Sequence, residues 1–237
     1  MDAVPKEQIG FRNYEQKDLE DATRLAWDAW ARPGEEETQS QEEAVDPRVM
    51  QGYVSSFLIR SNWNEVAYDD HGVVGVLFGR IDRLPGIPGG LRRGLRELGL
   101  LPGFLFNRYG PGAIAPAVVL QFFLTEFKVL LNKPRADAEI NLIVVDSKHQ
   151  RKGLGRALVE RFVQVASESG CRMVTLYTDN QVSNWRFYEI MGFKRIATFN
   201  DGLTGYFTET DAKGIVYALD LTGPKGAAFK PVRDLRA

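Results

Sequence analysis

Residues 149–158 read HQRKGLGRAL, and they carry the strongest signal in the 237-residue chain. They follow AEINLIVVD (residues 138–146), a nearly continuous apolar run typical of a strand that is covered on both faces. From Leu154 onward, apolar residues recur at helical spacing as far as Ser169 and Gly170, which form a common helix end. The sequence therefore predicts a buried strand, a glycine-containing turn and an amphipathic helix in direct succession.

A turn of this kind can bind an anion. The first amides of a helix have no intrahelical acceptor, and they lie at the positive end of the helix dipole. Gly153 and Gly155 allow a phosphate to approach the backbone, while Arg151, Lys152 and Arg156 surround it with positive charge. The turn lacks the Gly-Lys-Ser/Thr of a P-loop and the final small residue of a G-x-G-x-x-G fingerprint. The residues therefore favour a diphosphate site, and on this turn alone an ordinary helix start is the alternative.

The rest of the chain predicts an α/β domain. Further strands are predicted at residues 9–14, on both sides of a turn at 69–72, at 172–178 and at 214–221, with another extended segment from Phe193. Further helices are predicted at residues 15–32, 46–60, 117–131 and 184–191, the last capped by Ser183 and ended by Gly192. We expect one domain over residues 1–237, with a largely helical insertion at 83–134 and a loose, basic tail at 222–237.

The composition of the chain argues against several classes of function. Acidic and basic residues nearly cancel, 31 against 30, which argues against general nucleic-acid binding. One cysteine, Cys171, and two separated histidines, His71 and His149, predict no metal site and no disulfide framework. The apolar segment 113–131 is interrupted by polar residues and by Pro116, and the N-terminus lacks a signal-peptide pattern. We therefore expect a cytoplasmic protein that does not bind a membrane.

Two motifs in a fixed order resemble those of the GNAT superfamily of acyl-CoA-dependent N-acyltransferases. QRKGLG at residues 150–155 matches Gln/Arg-x-x-Gly-x-Gly/Ala after a buried strand, and NWRFYEIMGF at 184–193 matches Y-E-x-x-G-F. The resemblance covers residues 137–193 strongly and the N-terminal elements by their order alone. It implies the GNAT fold: a central mixed, mostly antiparallel sheet that is splayed at the cofactor cleft and flanked by helices.

The resemblance also implies where acetyl-CoA binds. The coenzyme would lie where two central strands splay apart, with its pantetheine arm paired to the backbone of one strand and its pyrophosphate on the amides of the turn. Asn184 is the candidate hydrogen-bond partner of the coenzyme, with Asn180 and Ser183 as alternatives. The implied cofactor-binding residues are Ile143, Val144, Val145, Gln150, Arg151, Lys152, Gly153, Leu154, Gly155, Arg156 and Asn184.

Members of the family transfer the acyl group by direct attack of an amine on the thioester. Tyr188 matches the family tyrosine that faces the sulfur, where a protonated phenol can donate a hydrogen bond; core packing is the alternative. Glu139 is the best candidate for the base, directly or through a water; a carboxylate paired with a neighbouring arginine is the alternative. In an ideal strand Asn141 lies on the same side and could orient that water, whereas a bulge, which is common in the family at this point, would move it away. Cys171 is expected to be structural, and His149 to be exposed and neutral.

The predicted function is transfer of an acetyl group to a primary amine of a small molecule or peptide, by a monomer or homodimer without a metal. Two alternatives stay open. The chain could be a coenzyme A-binding sensor without turnover. It could also transfer a longer acyl chain, for which the apolar insertion leaves room. Because acceptor identity depends on the shape of the pocket, no motif predicts it.

Overall fold

The protein is described by a computed structural model that covers residues 8–30, 47–86, 116–181, 183–208 and 210–223. The strands are β1 (Gly10–Asn13), β2 (Trp63–Asp69), β3 (Gly72–Ile81), β4 (Ala138–Val145), β5 (Met173–Asp179), β6 (Lys194–Asn200) and β7 (Lys213–Asp220). The helices are α1 (Leu19–Trp30), α2 (Pro47–Ile59), α3 (Pro116–Asn132), α4 (Leu154–Glu168), α5 (Trp185–Ile190) and α6 (Gly202–Thr208). Short 3-10 helices occupy Gln16–Asp18 and Ser147–His149.

The strands form one open sheet in the order β1-β2-β3-β4-β5-β7-β6. Neighbours run antiparallel except β4 and β5, which are parallel and joined through α4. A parallel pair needs such a crossover, and the amphipathic pattern after the glycine turn provides it. The predicted mixed, mostly antiparallel sheet with flanking helices is therefore confirmed.

Helices cover both faces of the sheet. On one face α4 and α5 pack against the central strands, and the largest buried side chains there are Phe162, Leu158, Leu176 and Tyr217. On the other face α1 and α2 cover β3 and β4 through Leu25, Val54, Phe78 and Leu142. On that same face, farther along the sheet, α3 packs against β6, β7 and α6. Two helical layers thus enclose the sheet and leave its splayed centre between them.

Strand β4 contains a bulge at Asn141. Phe78 of β3 pairs with Leu142, but the next residue, Gly79, pairs with Ile140, so Asn141 has no partner of its own. The bulge reverses the alternation of the strand. Ile140 therefore packs with the α4 core, whereas Leu142 packs with the α1 and α2 core. Reasoning from ideal alternation cannot place side chains on both sides of such a point.

Most predicted elements lie within a few residues of their predicted bounds. Ser183 was predicted to cap the helix that contains Tyr188, but α5 begins at Trp185 with Asn184 as its N-cap, and the Ser183 hydroxyl is bonded to Thr178. Helix α6 was not predicted. Much of the predicted insertion (residues 87–115) and most of the predicted tail (224–237) lie outside the described residues. Among the described helices, none has the length and apolarity to cross a membrane.

Candidate active site

The centre of the sheet opens into a cleft between β4 and β5. The two strands pair only where Ala138–Ile140 faces Val174–Leu176. Beyond these residues β4 stays paired with β3 and β5 stays paired with β7, so their facing edges diverge. Backbone groups on these edges are available to an extended ligand that adds itself as a strand.

The hydrogen-bond direction along β4 shows which residues face the cleft. The backbone amide of Asp146 donates to Val74 O at 2.8 Å, so the backbone polar groups of Asp146 point toward β3. The direction of the backbone N–H and C=O groups alternates from residue to residue along a strand. The backbone groups of Val144 therefore also point to β3, while those of Ile143 and Val145 point to the cleft. Of the three residues predicted to pair with the cofactor, Ile143 and Val145 therefore present backbone groups to it.

Gln150 closes the end of this edge. Its side-chain amide donates to Val145 O at 3.2 Å, and its own backbone amide donates to Ser147 O at 3.4 Å. These bonds hold the turn against the last residue of β4. Gln150 was predicted to offer its amide to the cofactor, and here that amide is used inside the turn.

The turn that follows has an anion-binding conformation. Arg151 and Gly153 both adopt positive φ angles, 61° and 84°, and alternation of left-handed residues turns successive amides toward one side. The first bond into α4 runs from Ala157 N to Gly153 O at 2.9 Å. The amides of Leu154, Gly155 and Arg156 therefore precede the hydrogen-bonded part of the helix, and they point out of its N-terminus.

Positive charge surrounds this turn. Arg151 and Lys152 are exposed beside the helix N-terminus. Arg156, also exposed, extends along α4 and donates from Nε to Glu160 Oε1 at 2.7 Å. Its contribution to an anion is therefore mainly its backbone amide, and the side chains of Arg151 and Lys152 add positive charge to the turn.

Gly155 lies where β4, α4 and α5 meet. A Cβ atom on this glycine would lie 3.6 Å from Cγ2 of Val145 and 3.9 Å from Cζ of Phe187. The end of the cleft-facing strand, the amide-rich turn and the helix that carries Tyr188 are therefore close neighbours around this glycine. The two sequence motifs, which are far apart in the chain, build one site.

Tyr188 lies in the wall of this site. Its ring packs edge-on against Phe187 and Phe193 at centroid distances of 5.2 and 6.1 Å, and it lies 5.9 Å from the ring of Tyr217. Burial, together with the negative charge of Asp179, raises the pKa of the Tyr188 phenol above its usual range. The phenol therefore stays protonated at any working pH and can act as a hydrogen-bond donor.

Glu139 is held by two cations. Arg80 Nη2 lies 3.5 Å from Glu139 Oε2, and Lys133 Nζ donates to Oε1. The side chain is 14% exposed, and both cations are similarly enclosed. Protonation of Glu139 would break two charge pairs in a partly buried setting, which makes it a weaker proton acceptor than an isolated carboxylate. The sequence alternative of an arginine-paired carboxylate describes its surroundings in this structure.

Asn141 was expected beside Glu139, where it would orient a water. The bulge instead turns its side chain toward the end of α2, where it donates to Ser61 Oγ at 2.8 Å and to Arg60 O at 3.3 Å. Its amide therefore fastens β4 to α2.

His149 is buried, which contradicts the expectation that it is exposed. The side chain lies between two carboxylates, with Nε2 at 3.5 Å from Asp69 Oδ2 and Nδ1 at 3.7 Å from Asp146 Oδ1. The residue is 8% exposed. The 3-10 turn at Ser147–His149 folds the ring inward, a short-range geometry that periodicity does not reveal.

Cys171 is buried at the start of the segment that leads into β5, as a structural cysteine would be. Its sulfur lies 3.6 Å from Asp137 O, and burial followed by the charge of Asp137 raises the pKa of the thiol. A thiol with a raised pKa is a poor nucleophile at neutral pH.

The three polar candidates near α5 differ in their hydrogen bonds. Asn180 Oδ1 accepts from Lys213 N at 2.7 Å, and Ser183 is bonded to Thr178. Asn184 is exposed at the N-cap of α5, where its side chain forms no capping bond. The N-cap therefore does not use the Asn184 amide, and the contact of this amide with the coenzyme stays a prediction.

The sequence analysis missed a polar cluster on the α2 and α3 face of the cleft. Its centre is Asp201, which is 2% exposed and accepts from the hydroxyls of Tyr177 and Thr125. An ion pair between Arg60 Nη1 and Glu126 Oε2 at 2.6 Å joins α2 to α3 nearby. The aspartate directly before α6 is a capping signal that could have indicated Asp201. Nothing in the local sequence indicated the others.

Acidic and histidine side chains do not gather as a metal site. In the described ranges, no group of three or more His, Cys, Asp or Glu residues could hold a metal ion.

The family relationship follows from the region that builds this site. Residues 119–193 match the family model for the Acetyltransferase (GNAT) family. Over these residues the chain is similar to the GNAT acetyltransferases. The matched region includes the cleft-facing edge of β4, the turn at 150–156 and Tyr188, so the family match and the site's geometry coincide.

Solved structures agree on the GNAT fold. SsHAT aligns with a TM-score of 0.60 and 20% identity over 90% of this chain and 98% of its own. The ribosomal-protein-S18-alanine N-acetyltransferase from Escherichia coli aligns with a TM-score of 0.52 and 16% identity over 94% and 100%. A GNAT-family protein from Desulfovibrio desulfuricans gives 0.50 and 18% over 90% and 99%. No curated protein matches the chain.

Proposed function

We propose that this GNAT protein transfers an acetyl group from acetyl-CoA to a primary amine by direct attack in a ternary complex. The observation that carries the proposal is the contact between the open β4 edge and the amide-rich turn. An extended amide chain fits the edge at Ile143 and Val145, and a diphosphate fits the amides of Leu154, Gly155 and Arg156. Acetyl-CoA carries both groups in one molecule.

Tyr188 would serve the leaving group. The amine nitrogen forms a bond to the carbonyl carbon and releases a proton to solvent, while the carbon–sulfur bond breaks and the electron pair leaves on sulfur. A donor beside the sulfur stabilises this developing charge. Because the pKa of Tyr188 is raised by burial, we propose that it contributes a hydrogen bond to the thiolate, while the proton that sulfur finally takes comes from solvent.

The attacking amine must first lose a proton, since an alkylammonium has an unperturbed pKa of about 10.4. We propose that Glu139 acts through a water molecule. Its pairs with Arg80 and Lys133 favour the charged form, which orients a water by accepting a hydrogen bond from it. Holding the amine in line with the carbonyl carbon supplies much of the remaining rate enhancement.

The acceptor would enter from the α2 and α3 face, opposite the turn. We propose a primary amine of a small molecule or peptide as the acceptor, a cytoplasmic location and a monomeric or homodimeric protein. We further propose one domain over residues 1–237, in which the segment 83–134 borders the acceptor entrance. Deleting residues 87–115 and measuring both molecular mass and turnover distinguishes an acceptor-binding segment from a dimer contact.

Release of free thiol from acetyl-CoA over a panel of primary amines tests the proposal, with calorimetry of coenzyme A binding alongside. We expect binding and amine-dependent release. The double pairing of Glu139 favours one second candidate, a coenzyme A-binding sensor without turnover. Binding without release on any amine would support the sensor, and release from longer acyl-CoA alone would support a longer-chain acyltransferase. Absence of coenzyme binding would refute all three.

A further inference from the structure

Asp201 is a buried carboxylate that is surrounded by donors. It accepts from the hydroxyls of Thr125 at 3.0 Å and Thr204 at 2.6 Å, and from the amides of Leu203 and Thr204 at 3.1 and 3.2 Å. The hydroxyl of Tyr177 donates to its Oδ2. Within the described ranges no cation pairs with Asp201. Five donors on two oxygens is the hydrogen-bond pattern of an ionised carboxylate, which can only accept.

The hydroxyl proton of Tyr177 is therefore used in the hydrogen bond to Asp201. A phenol has one proton, and the ionised carboxylate of Asp201 can only accept it. Burial and the charge of Asp201 raise the pKa of Tyr177, so the phenol does not lose that proton. What the oxygen of Tyr177 can still offer to a ligand is a lone pair. It is an acceptor with a fixed orientation.

Tyr177 lies at the opening of the cleft. It directly follows Leu176, the last residue of β5 that pairs with β4, and it is half-buried. Its neighbours Thr175 and Asp179 share its face of the strand, which is the face that α3 covers. The Arg60–Glu126 ion pair at 2.6 Å links α2 and α3 across this region. The Tyr177 ring also stacks on Phe199 of β6 at 5.7 Å between centroids. Its hydroxyl therefore lies on the α2 and α3 face, from which the acceptor is proposed to enter.

Glu126 and Asp201 place negative charge near Tyr53, on the α2 side of this region. Tyr53 on α2 packs edge-on against Phe57 and Trp30, at 4.7 and 5.8 Å between centroids. Burial first, and then the charges of Glu126 and Asp201, raise the pKa of Tyr53, an effect that Arg60 only partly opposes. Burial disfavours any charge here, whereas the two carboxylates favour an N–H donor over an acceptor.

We propose that Tyr177, held by Asp201, accepts a hydrogen bond from an N–H group of the acceptor and so selects acceptors with a primary ammonium or amine. The inference rests on the proposed function, because it names a substrate-binding residue of the same site. Asp201 acts as a positioning residue, since it fixes the direction of the Tyr177 hydroxyl without touching the acceptor.

Two probes of equal charge test this assignment by binding alone. Propylammonium has three N–H donors, whereas N,N,N-trimethylpropylammonium has none. NMR titrations on the full chain, with and without coenzyme A, give the affinity ratio of the two. We expect the wild type to prefer propylammonium and Tyr177→Phe to lose about tenfold of that preference, as for one hydrogen bond to a charged group. Tyr68→Phe, at a half-exposed tyrosine on β2, is the matched control and should keep the preference.

Asp201→Asn supplies the positioning test. The asparagine amide can donate to the Tyr177 oxygen, which frees the Tyr177 proton to point toward the acceptor, so the preference for propylammonium should fall in this variant as well. Circular dichroism and thermal melts confirm that each variant is folded. A wild type that binds both probes equally, or an unchanged preference in Tyr177→Phe, overturns the assignment. A retained preference without thiol release from acetyl-CoA would instead overturn the proposed transferase and leave the acceptor assignment standing.

Discussion

Replacing Gly153 by alanine tests the anion-binding turn through a single methyl group. Gly153 has a φ of 84°, and a Cβ built there meets nothing within 4 Å. A non-glycine residue in this conformation costs about 1–2 kcal/mol, and the reduced freedom of the unfolded chain returns about 0.4–1 kcal/mol. The net loss in the free energy of unfolding should be about 1 kcal/mol, without a steric clash.

The effect on coenzyme binding should be larger than this strain. The methyl group would occupy open space beside the amides of Leu154 and Gly155, where the account places the diphosphate. Loss of one charge-assisted hydrogen bond costs about 1.5–3 kcal/mol, which weakens coenzyme A binding by about tenfold to a hundredfold. Calorimetry measures the affinity, and urea unfolding measures the stability.

Gly170 provides the matched control. It lies after the other end of α4, has a φ of 81°, and also has nothing within 4 Å of a built Cβ. Gly170→Ala should lose about the same stability as Gly153→Ala and bind coenzyme A like the wild type. Equal affinities in the two alanine variants would refute the reasoning, because the strain is common to both and only Gly153 adjoins the proposed diphosphate.

The remaining predictions concern the chemistry of the site. Tyr188→Phe should lower kcat about tenfold or more with little change in coenzyme affinity. The control Tyr14→Phe, which removes another buried hydroxyl, should leave kcat unchanged. Equal kcat values for Tyr188→Phe and the wild type would contradict the donor role of Tyr188. Glu139→Gln should slow turnover at neutral pH and less so at high pH, where the amine is already deprotonated; a pH-independent loss would point to a structural role. Because burial raises the pKa of Cys171, the thiol of the folded protein should react with thiol reagents more slowly than that of the urea-unfolded chain. Cys171→Ser should keep the turnover of the wild type. Rapid modification of the folded protein with loss of turnover would contradict a structural role for Cys171.

The cofactor side of the site could be predicted from the sequence because its information is local. The strand before the turn, the glycine at 153 and the apolar spacing after Leu154 are adjacent in the chain, and together they indicate an anion site. The second motif added Tyr188. Contact between the two motifs, seen at Gly155 and Phe187, required the fold.

Features that depend on long-range contacts were not predictable. Tyr177 and Asp201 are 24 residues apart, and Arg60 and Glu126 are 66 apart, so no periodicity relates them. The exact position of the bulge at Asn141 is equally hidden, since no glycine or proline marks it in the sequence of the strand. It redirects the strand because of its pairing with β3, which is a property of the sheet.

Coenzyme binding by the turn amides is the central claim, and amide NMR observes these amides directly. In a titration of ¹⁵N-labelled protein with coenzyme A, the largest shifts should fall on Gly153, Leu154, Gly155 and Arg156, and they should be much smaller with pantetheine, which lacks the diphosphate. Equal shifts with both ligands, or shifts that leave these four amides unmoved, would contradict the central claim.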